Sequence, residues 1–276
     1  MPSIILPDGA LGVATSAATW CHFLQLSRLT NSKCGGWNSI SFWDSRGLQN
    51  LANSHDVVEI WTRNSLAPQA LPKPRLEKFK FAERSAEESR GKGKPTGENA
   101  LNWQLTLRLR ENCVRGETAS AYEVPLAGER EGQLKADAMI FHQGGRLEII
   151  ELKRAGTKGA DSPLMALVEC ICYAIQAQRT WKDLSKEVKA HLHVETGELN
   201  SIHLIIAAPE YWSCCNVGKK EITPTQEKIM TALVKRVAQA CKIDMHLTLA
   251  DLDRDSGKIT PRSSSETPRW SLIRRL

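Results

Sequence analysis

Two apolar segments on either side of a glycine turn constrain this chain more than any other feature of its sequence. Residues 134–142 and 146–153 are rich in Ile, Leu, Met and Phe with polar residues between them, and the letters HQGG link the two segments. This pattern predicts the two antiparallel strands of one β-hairpin. Because side chains alternate between the faces of a strand, the length of the turn decides which residues share a face.

The hairpin carries an aspartate, a glutamate and a lysine that alternation and register would bring together. Glu151 and Lys153 point to the same face of their strand, and Leu152 points to the other face. If residues 143–145 form a three-residue turn, with a glycine supplying the positive φ of a bulge, Asp137 lies opposite Glu151. The two Cβ atoms are then about 5 Å apart. A two-residue turn would slip the register by one residue and turn Asp137 to the wrong face.

This arrangement of charged side chains suits hydrolysis of a phosphodiester. Two carboxylates at that distance repel each other, and one of them becomes protonated unless a cation lies between them. Oxygen ligands with open coordination positions suit Mg²⁺ or Mn²⁺, which keep bound waters and share phosphate oxygens with a substrate. Such an ion activates a water molecule, and Lys153 would orient that water or stabilise the developing charge. Asp137 and Glu151 are therefore the predicted metal ligands.

The motif also resembles that of a known family. Asp137, thirteen further residues and then Glu151-Leu152-Lys153 are similar to the signature of the PD-(D/E)XK nuclease superfamily, over roughly residues 96–212 in coarse order. The resemblance implies an α/β, restriction-endonuclease-like fold with an α-β-β-β-α-β core, whose mixed central sheet has helices on both faces. It also implies that Asp137, Glu151 and Lys153 are catalytic. One departure is Ala136, which stands where the family has its name-giving proline.

A solvated surface is the alternative interpretation of the Glu-x-Lys pair. Glutamate and lysine two residues apart are common on exposed strands, where an ion pair contributes little to stability. Ile149, Ile150 and Leu152 make this strand apolar on both faces, which is typical of an interior strand. The strand's own composition therefore favours a buried site over a solvated pair.

A helix is predicted over residues 98–112, ahead of the hairpin. Leu101, Leu105 and Leu109 recur at helical spacing, and Glu98 extends the same stripe by one turn. Two interpretations of Glu98 stay open. The resemblance places it where the superfamily often has an acidic residue on its first helix, whereas a carboxylate at a helix N-terminus also stabilises the helix through the macrodipole.

A buried helix is predicted after the hairpin, beginning at the Ser-Pro pair of residues 162–163. Through residue 178 it carries one charge, Glu169, which needs a hydrogen-bond donor, a cation or a place beside the metal. Tyr173 and Gln176 share its face. The group resembles the Gln-x-x-x-Tyr element of the superfamily's exonuclease branch, with Glu169 in place of the glutamine. Glu169 and Tyr173 are thus candidate supporting residues, and a core role for Tyr173 stays equally open.

Further elements complete an alternating pattern of strands and helices. Residues 121–126 predict a first strand, in which Pro125 indicates an edge or a strand end and Glu123 is either a further ligand or a surface residue. The other predicted elements are a polar helical stretch to residue 192, a core strand at 201–208, a helix at 225–241 and a strand at 245–252.

Composition divides the chain into three parts. Residues 1–65 are predicted to form a small N-terminal module of unknown role, whose aromatic residues either pack a core or stack on nucleic-acid bases. Residues 66–97 are rich in proline and charge and are predicted to be a linker. Residues 98–276 would then form the catalytic domain.

The predicted partner is a nucleic acid, expected to be DNA. A formal net charge of +6 suits a polyanion, although runs of lysine and arginine are also common on solvated surfaces. The eight cysteines include no Cys-x-x-Cys pair, which argues against zinc and iron–sulfur sites, and no cofactor-binding residues are predicted. Without a long apolar run or a leader pattern, we expect a cytoplasmic protein that does not bind membranes.

Together these features predict a Mg²⁺-dependent endodeoxyribonuclease of the restriction, repair or defence type. Cleavage of both strands would call for two sites, and hence a homodimer or partner subunits. The alternative is a nucleic-acid-binding or scaffolding module that keeps the nuclease fold without turnover. An intact Asp, Glu and Lys set argues against that alternative, because two adjacent carboxylates are costly to keep without a function.

Overall fold

A computed structural model describes residues 98–126, 135–153, 163–208, 224–253 and 258–261 of the chain. These residues form one six-stranded sheet and three helices. The N-terminal module and the linker predicted at residues 1–65 and 66–97 lie outside the described residues. None of the helices in the described part combines the length and apolar character that crossing a bilayer requires.

The elements follow the predicted order closely. They are α1 (Glu98–Asn112), β1 (Thr118–Pro125), β2 (Lys135–His142), β3 (Arg146–Leu152), α2 (Pro163–Leu192), β4 (Ser201–Ala208), α3 (Pro224–Cys241), β5 (Asp244–Leu252) and β6 (Ile259–Pro261). The predicted buried helix and the polar stretch after it are one continuous helix, α2, because the apolar stripe continues through the buried residues Trp181, Leu184 and Val188. Strand β6 was not predicted, since three residues are too short to show a period.

The sheet is mixed, as the α/β prediction requires. Its spatial order is β1-β2-β3-β4-β5-β6. The strands β1, β2 and β3 form an antiparallel meander, β4 and β5 join β3 in parallel, and β6 closes the far edge antiparallel to β5. Parallel neighbours need a long crossover, and α2 and α3 provide the two crossovers here. The first strand lies at an edge and ends at Pro125, which agrees with the prediction for that proline.

Helices cover both faces of the sheet. Residues of α1 pack with one set of alternating strand residues, whereas α2 and α3 pack with the other set. The predicted α1 stripe of Leu101, Leu105 and Leu109 is buried in the first of these cores. The opposite core includes Met139 and Phe141 of β2 together with residues of β3, β4 and the two later helices. A central strand such as β3 is therefore buried on both faces.

The turn of the β2–β3 hairpin contains three residues, as predicted. His142 pairs with Arg146, which leaves residues 143–145 outside the ladder. Gly144 and Gly145 both have positive φ values, 82° and 87°, and the Gly145 N–H donates to the carbonyl of His142 at 3.3 Å. Such φ values strain any residue other than glycine. The register required by the active-site hypothesis is therefore present.

The turn is also fixed from outside by the segment that leads into β4. The Asn200 N–H donates to the carbonyl of Gly145 at 2.9 Å. A Cβ atom on Gly145 would lie 1.6 Å from the carbonyl oxygen of Glu198, whereas a Cβ on Gly144 would meet nothing within 4 Å. Gly145 therefore has two reasons to be glycine, its φ and the close approach of another backbone, and Gly144 has only the first.

Candidate active site

Asp137 and Glu151 lie next to each other at the open end of the hairpin. The last paired residues of β2 and β3 are Ala138 and Ile150, so the next residues outward are Asp137 and Glu151. The charge of Asp137 raises the pKa of Glu151, which agrees with their proximity. The register that the hypothesis requires is therefore present up to the pair before these two residues.

Lys153 extends β3 and brings a cation to the same place. Its ammonium nitrogen Nζ lies 2.6 Å from Glu151 Oε1 and 2.6 Å from Glu169 Oε2 of α2. Its backbone N–H donates to the carbonyl of Ala207 at 3.0 Å, which attaches the end of β3 to β4. The Lys153 ammonium is thus the partner of Glu169, and a cation was one of the partners predicted for this carboxylate.

Asp137 is held by hydrogen bonds to each of its oxygens. The backbone N–H of Leu152 donates to Asp137 Oδ2 at 2.8 Å, and the side-chain amide Nδ2 of Asn102 donates to Asp137 Oδ1 at 3.1 Å. One bond comes from the neighbouring strand, and the other comes from α1 in the opposite layer. Asp137 is thus tied both to the strand β3 and to the helix α1.

The electrostatic balance of the site favours a proton on Glu151. Burial raises the pKa of Glu151 well above its ordinary value, and the nearby charges of Asp137 and Glu169 raise it further against the opposing effect of Lys153. Burial by itself would lower the pKa of Lys153, but Glu151 and Glu169 raise it well above the usual range. The lysine is therefore held as an ammonium ion, and its contact with Glu151 only partly offsets the effects that raise the pKa of that glutamate.

The carboxyl group of Glu151 has one oxygen without a partner. Glu151 Oε2 is buried and receives no hydrogen bond from any described residue, whereas Oε1 meets Lys153. A buried carboxylate oxygen without a donor is costly, and a divalent cation bound there would remove that cost. Two neighbouring carboxylates, one of them with an oxygen that receives no described hydrogen bond, fit a magnesium or manganese ion that keeps several waters. No group of three or more His, Cys, Asp or Glu side chains with metal-ligand spacing occurs in the described residues.

Cys170, Tyr173 and Gln176 of α2 are buried. Burial raises the pKa values of Tyr173 and Cys170 well above their usual range, and in both cases Glu151 and Glu169 add to the effect. Both side chains therefore stay neutral beside the carboxylates. Gln176 is fully buried, and its Nε2 donates to the carbonyl of Leu126 at 3.0 Å, which joins α2 to the end of β1.

Two further candidates from the sequence have different outcomes. Glu98 is the first residue of α1, but its side chain lies outside what the structure describes, so both interpretations of it stay open. Glu123 is half-buried with a φ of 44°, and its Oε1 accepts a hydrogen bond from the Tyr122 hydroxyl at 3.0 Å. It is thus neither fully exposed nor joined by a described hydrogen bond to Asp137.

Asn102 is the residue of this site that was missed from the sequence. It lies one helical turn after Glu98, beside the apolar stripe, and is only 3% exposed. A buried asparagine between Leu101 and Leu105 was the available signal, because such an amide needs hydrogen-bond partners. Its partner Asp137 is 35 positions away in the chain, so the pairing itself was not predictable from local pattern.

Comparisons with protein-family models, with curated proteins and with solved structures gave no match for this chain. The residues and geometry of the site are therefore the basis for a functional proposal.

Proposed function

We propose that this protein is a metal-dependent nuclease that hydrolyses phosphodiester bonds, specifically a DNA endonuclease with a PD-(D/E)XK, restriction-endonuclease-like core. One observation carries the proposal. Asp137 and Glu151 follow the last paired residues at the open end of one hairpin, and the Lys153 ammonium lies 2.6 Å from Glu151. Two carboxylates and a lysine in this arrangement are the groups that the chemistry needs.

The order of elements supports the same proposal. From α1 to β4 the chain runs α-β-β-β-α-β, which is the order that the resemblance implies for the nuclease core. The three candidate residues lie on the second and third strands of that unit, at the end where β3 leaves the sheet. An element order shared with a family supports a fold, but the function rests on the site.

Asp137 and Glu151 would hold the metal. A bound Mg²⁺ or Mn²⁺ would supply Lewis-acid stabilisation of the phosphate and a water of lowered pKa. The chain's own contribution is to fix the rotamer of Asp137 through two hydrogen bonds and to offer the open oxygen of Glu151. Glu151 and Lys153 are both buried, at 3% and 5% exposure, which strengthens electrostatic interactions between them.

Lys153 acts as a fixed positive charge. Glu151 and Glu169 hold it in the ammonium form, so it would donate hydrogen bonds to the attacking water or to a phosphate oxygen. Glu169 has the further role of directing the ammonium group from the side of α2. With this second carboxylate in contact, Lys153 is kept in position when Glu151 is engaged elsewhere.

Cleavage of supercoiled plasmid DNA tests the proposal. The full-length protein is expected to nick the plasmid with Mg²⁺ or Mn²⁺ and to be inactive in EDTA. Asp137→Asn and Lys153→Met should lower the rate by at least about 100-fold, the scale of losing one such electrostatic group. Lys189→Met is the matched control, because Lys189 is an exposed lysine of α2 whose removal should leave the rate unchanged. Equal cleavage by all four proteins would overturn the proposal.

Single-stranded DNA and RNA of the same sequence identify the substrate class. Preference for duplex DNA is expected from the proposal of an endodeoxyribonuclease. Cleavage of RNA alone, abolished by Asp137→Asn, would retain the metal-dependent phosphodiesterase and reject DNA as its substrate.

A binding or scaffolding module without turnover is the second candidate. The absence of a three-ligand metal cluster from the described residues favours it, as does the lysine already paired with both glutamates. This candidate predicts salt-dependent DNA binding by wild type with no cleavage under any metal. It also predicts that Asp137→Asn changes neither binding nor stability in the presence of Mn²⁺.

A further inference from the structure

Asn102 of α1 is a buried polar residue on a helix that buries a stripe of leucines. Asn102 is 3% exposed, its Nδ2 donates to Asp137 Oδ1 at 3.1 Å, and its own Oδ1 is buried with no hydrogen-bond partner among the described residues. A buried amide with one unsatisfied atom is destabilising when compared with a leucine of similar volume. Its position beside the apolar stripe of α1 would suit leucine equally well.

In the hydrogen bond between these two residues, Asn102 is the donor and Asp137 is the acceptor. Asn102 offers a donor to Asp137, and an aspartate at position 102 would place two carboxylates next to each other. A second bond to Asp137 comes from the backbone of Leu152, which no side-chain substitution removes. The amide of Asn102 is therefore a side-chain group that holds the rotamer of Asp137 and that a substitution can remove.

We propose that Asn102 is a positioning residue for the metal ligand Asp137, and that its free Oδ1 accepts a hydrogen bond from a water of the hydrated ion. Magnesium and manganese keep several waters in sites with two carboxylates, and these waters need acceptors. Partners that orient a ligating carboxylate set metal affinity in addition to geometry. The inference rests on the proposed function, because it requires Asp137 to bind metal.

Binding of Mn²⁺ alone to the full-length protein tests this role without depending on catalysis. Calorimetric titration without DNA should show about tenfold weaker binding for Asn102→Ala than for wild type, the usual scale for losing such a partner. The same shift should appear in the Mn²⁺ concentration that gives half-maximal cleavage, with a smaller change in the rate at saturating metal. A purely structural role would lower thermal stability without moving the metal affinity of the folded protein.

A second asparagine of the same helix is the matched control. Asn112 donates from Nδ2 to the carbonyl of Arg108 at the end of α1 and makes no described contact with Asp137. Asn112→Ala should bind Mn²⁺ as wild type does. If Asn102→Ala does not fold, Asn102→Leu keeps the volume of the buried side chain and removes the donor, and it should show the same tenfold loss.

Asp137→Asn separates failure of this inference from failure of the proposed function. Loss of Mn²⁺ binding in Asp137→Asn, with unchanged binding in the Asn102 variants, would overturn the positioning role and leave the metal site intact. Unchanged Mn²⁺ binding in Asp137→Asn would contradict both the proposed metal site and the proposed role of Asn102. Tighter binding by Asn102→Asp than by wild type would also overturn the inference, because residue 102 would then act as a direct ligand.

Discussion

Two buried glutamates of β3 differ in the partners that their carboxyl groups have. Glu148 and Glu151 are three residues apart on β3 and are both buried, at 0% and 3% exposure. Glu148 Oε1 lies 2.9 Å from Nε2 of His142 on the neighbouring strand. Glu151 shares its ammonium partner with Glu169, and its second oxygen has no partner among the described residues.

We interpret Glu148 as a structural carboxylate and Glu151 as the metal ligand of the proposed nuclease site. Glu148 joins β2 to β3 close to the turn through His142. Glu151 lies on the opposite face at the open end, where burial and two carboxylates raise its pKa despite the contact with Lys153. Buried groups with a strongly shifted pKa occur often at functional sites.

The largest expected effect comes from replacing each glutamate by glutamine. Glu151→Gln should lower nuclease activity by about 1000-fold, because it removes a metal ligand and a charge of the site. It should leave the free energy of unfolding unchanged or raise it, since a repelled carboxylate is gone. Glu148→Gln should keep the activity per folded molecule and lower the free energy of unfolding by about 1 kcal/mol, because an amide replaces the carboxylate that contacts His142.

Plasmid nicking and urea unfolding of the full-length variants measure this pair of effects. The reverse result, in which Glu148→Gln is inactive when folded and Glu151→Gln is merely less stable, would show that the two roles have been assigned to the wrong ends of the strand.

The second comparison concerns the two glycines of the turn. Gly145→Ala should lower the free energy of unfolding by about 3 kcal/mol or more, because the new methyl group meets the Glu198 carbonyl in addition to the strain of a positive φ. Gly144→Ala introduces the same strain of a positive φ, but its methyl group meets no other atom. It should lower the free energy of unfolding by about 1 kcal/mol. Thermal or urea unfolding gives both values. Equal costs would mean that the contact with Glu198 does not constrain the turn.

A smaller effect is expected in the pH dependence of stability. The pKa of Glu151 is raised above its ordinary value of 4.5, so the folded protein binds this proton more tightly than the unfolded chain does. The resulting stability is present at low pH and is lost as pH rises from 4.5 towards the raised pKa. In EDTA, the stability of wild type relative to Glu151→Gln should therefore fall as pH rises above 4.5.

Urea unfolding of wild type and Glu151→Gln at a series of pH values above 4.5 measures this difference in stability. The contributions of most other titrating groups are the same in both proteins and cancel. Glu148→Gln serves as the control, because it retains Glu151. A difference between wild type and Glu151→Gln that stays constant with pH would contradict the assignment of a raised pKa to Glu151.

Much of the fold was predictable because its signals are local. The apolar stripe of α1, the alternation of β2 and β3 and the positive φ of Gly144 and Gly145 each depend on residues close together in the chain. The register of the hairpin follows from them, and with it the proximity of Asp137 and Glu151. The N-terminal module predicted at residues 1–65 remains a prediction.

The sequence by itself determined which chemistry was present and on which face of the hairpin it lies, because side-chain alternation and turn length are properties of short segments. Only the tertiary structure decided which distant groups complete the site. Asn102 of α1 and Glu169 of α2 reach the hairpin from opposite layers. Such contacts depend on how helices pack on a sheet, and the free energy of that packing is spread over the whole core rather than encoded in any one segment.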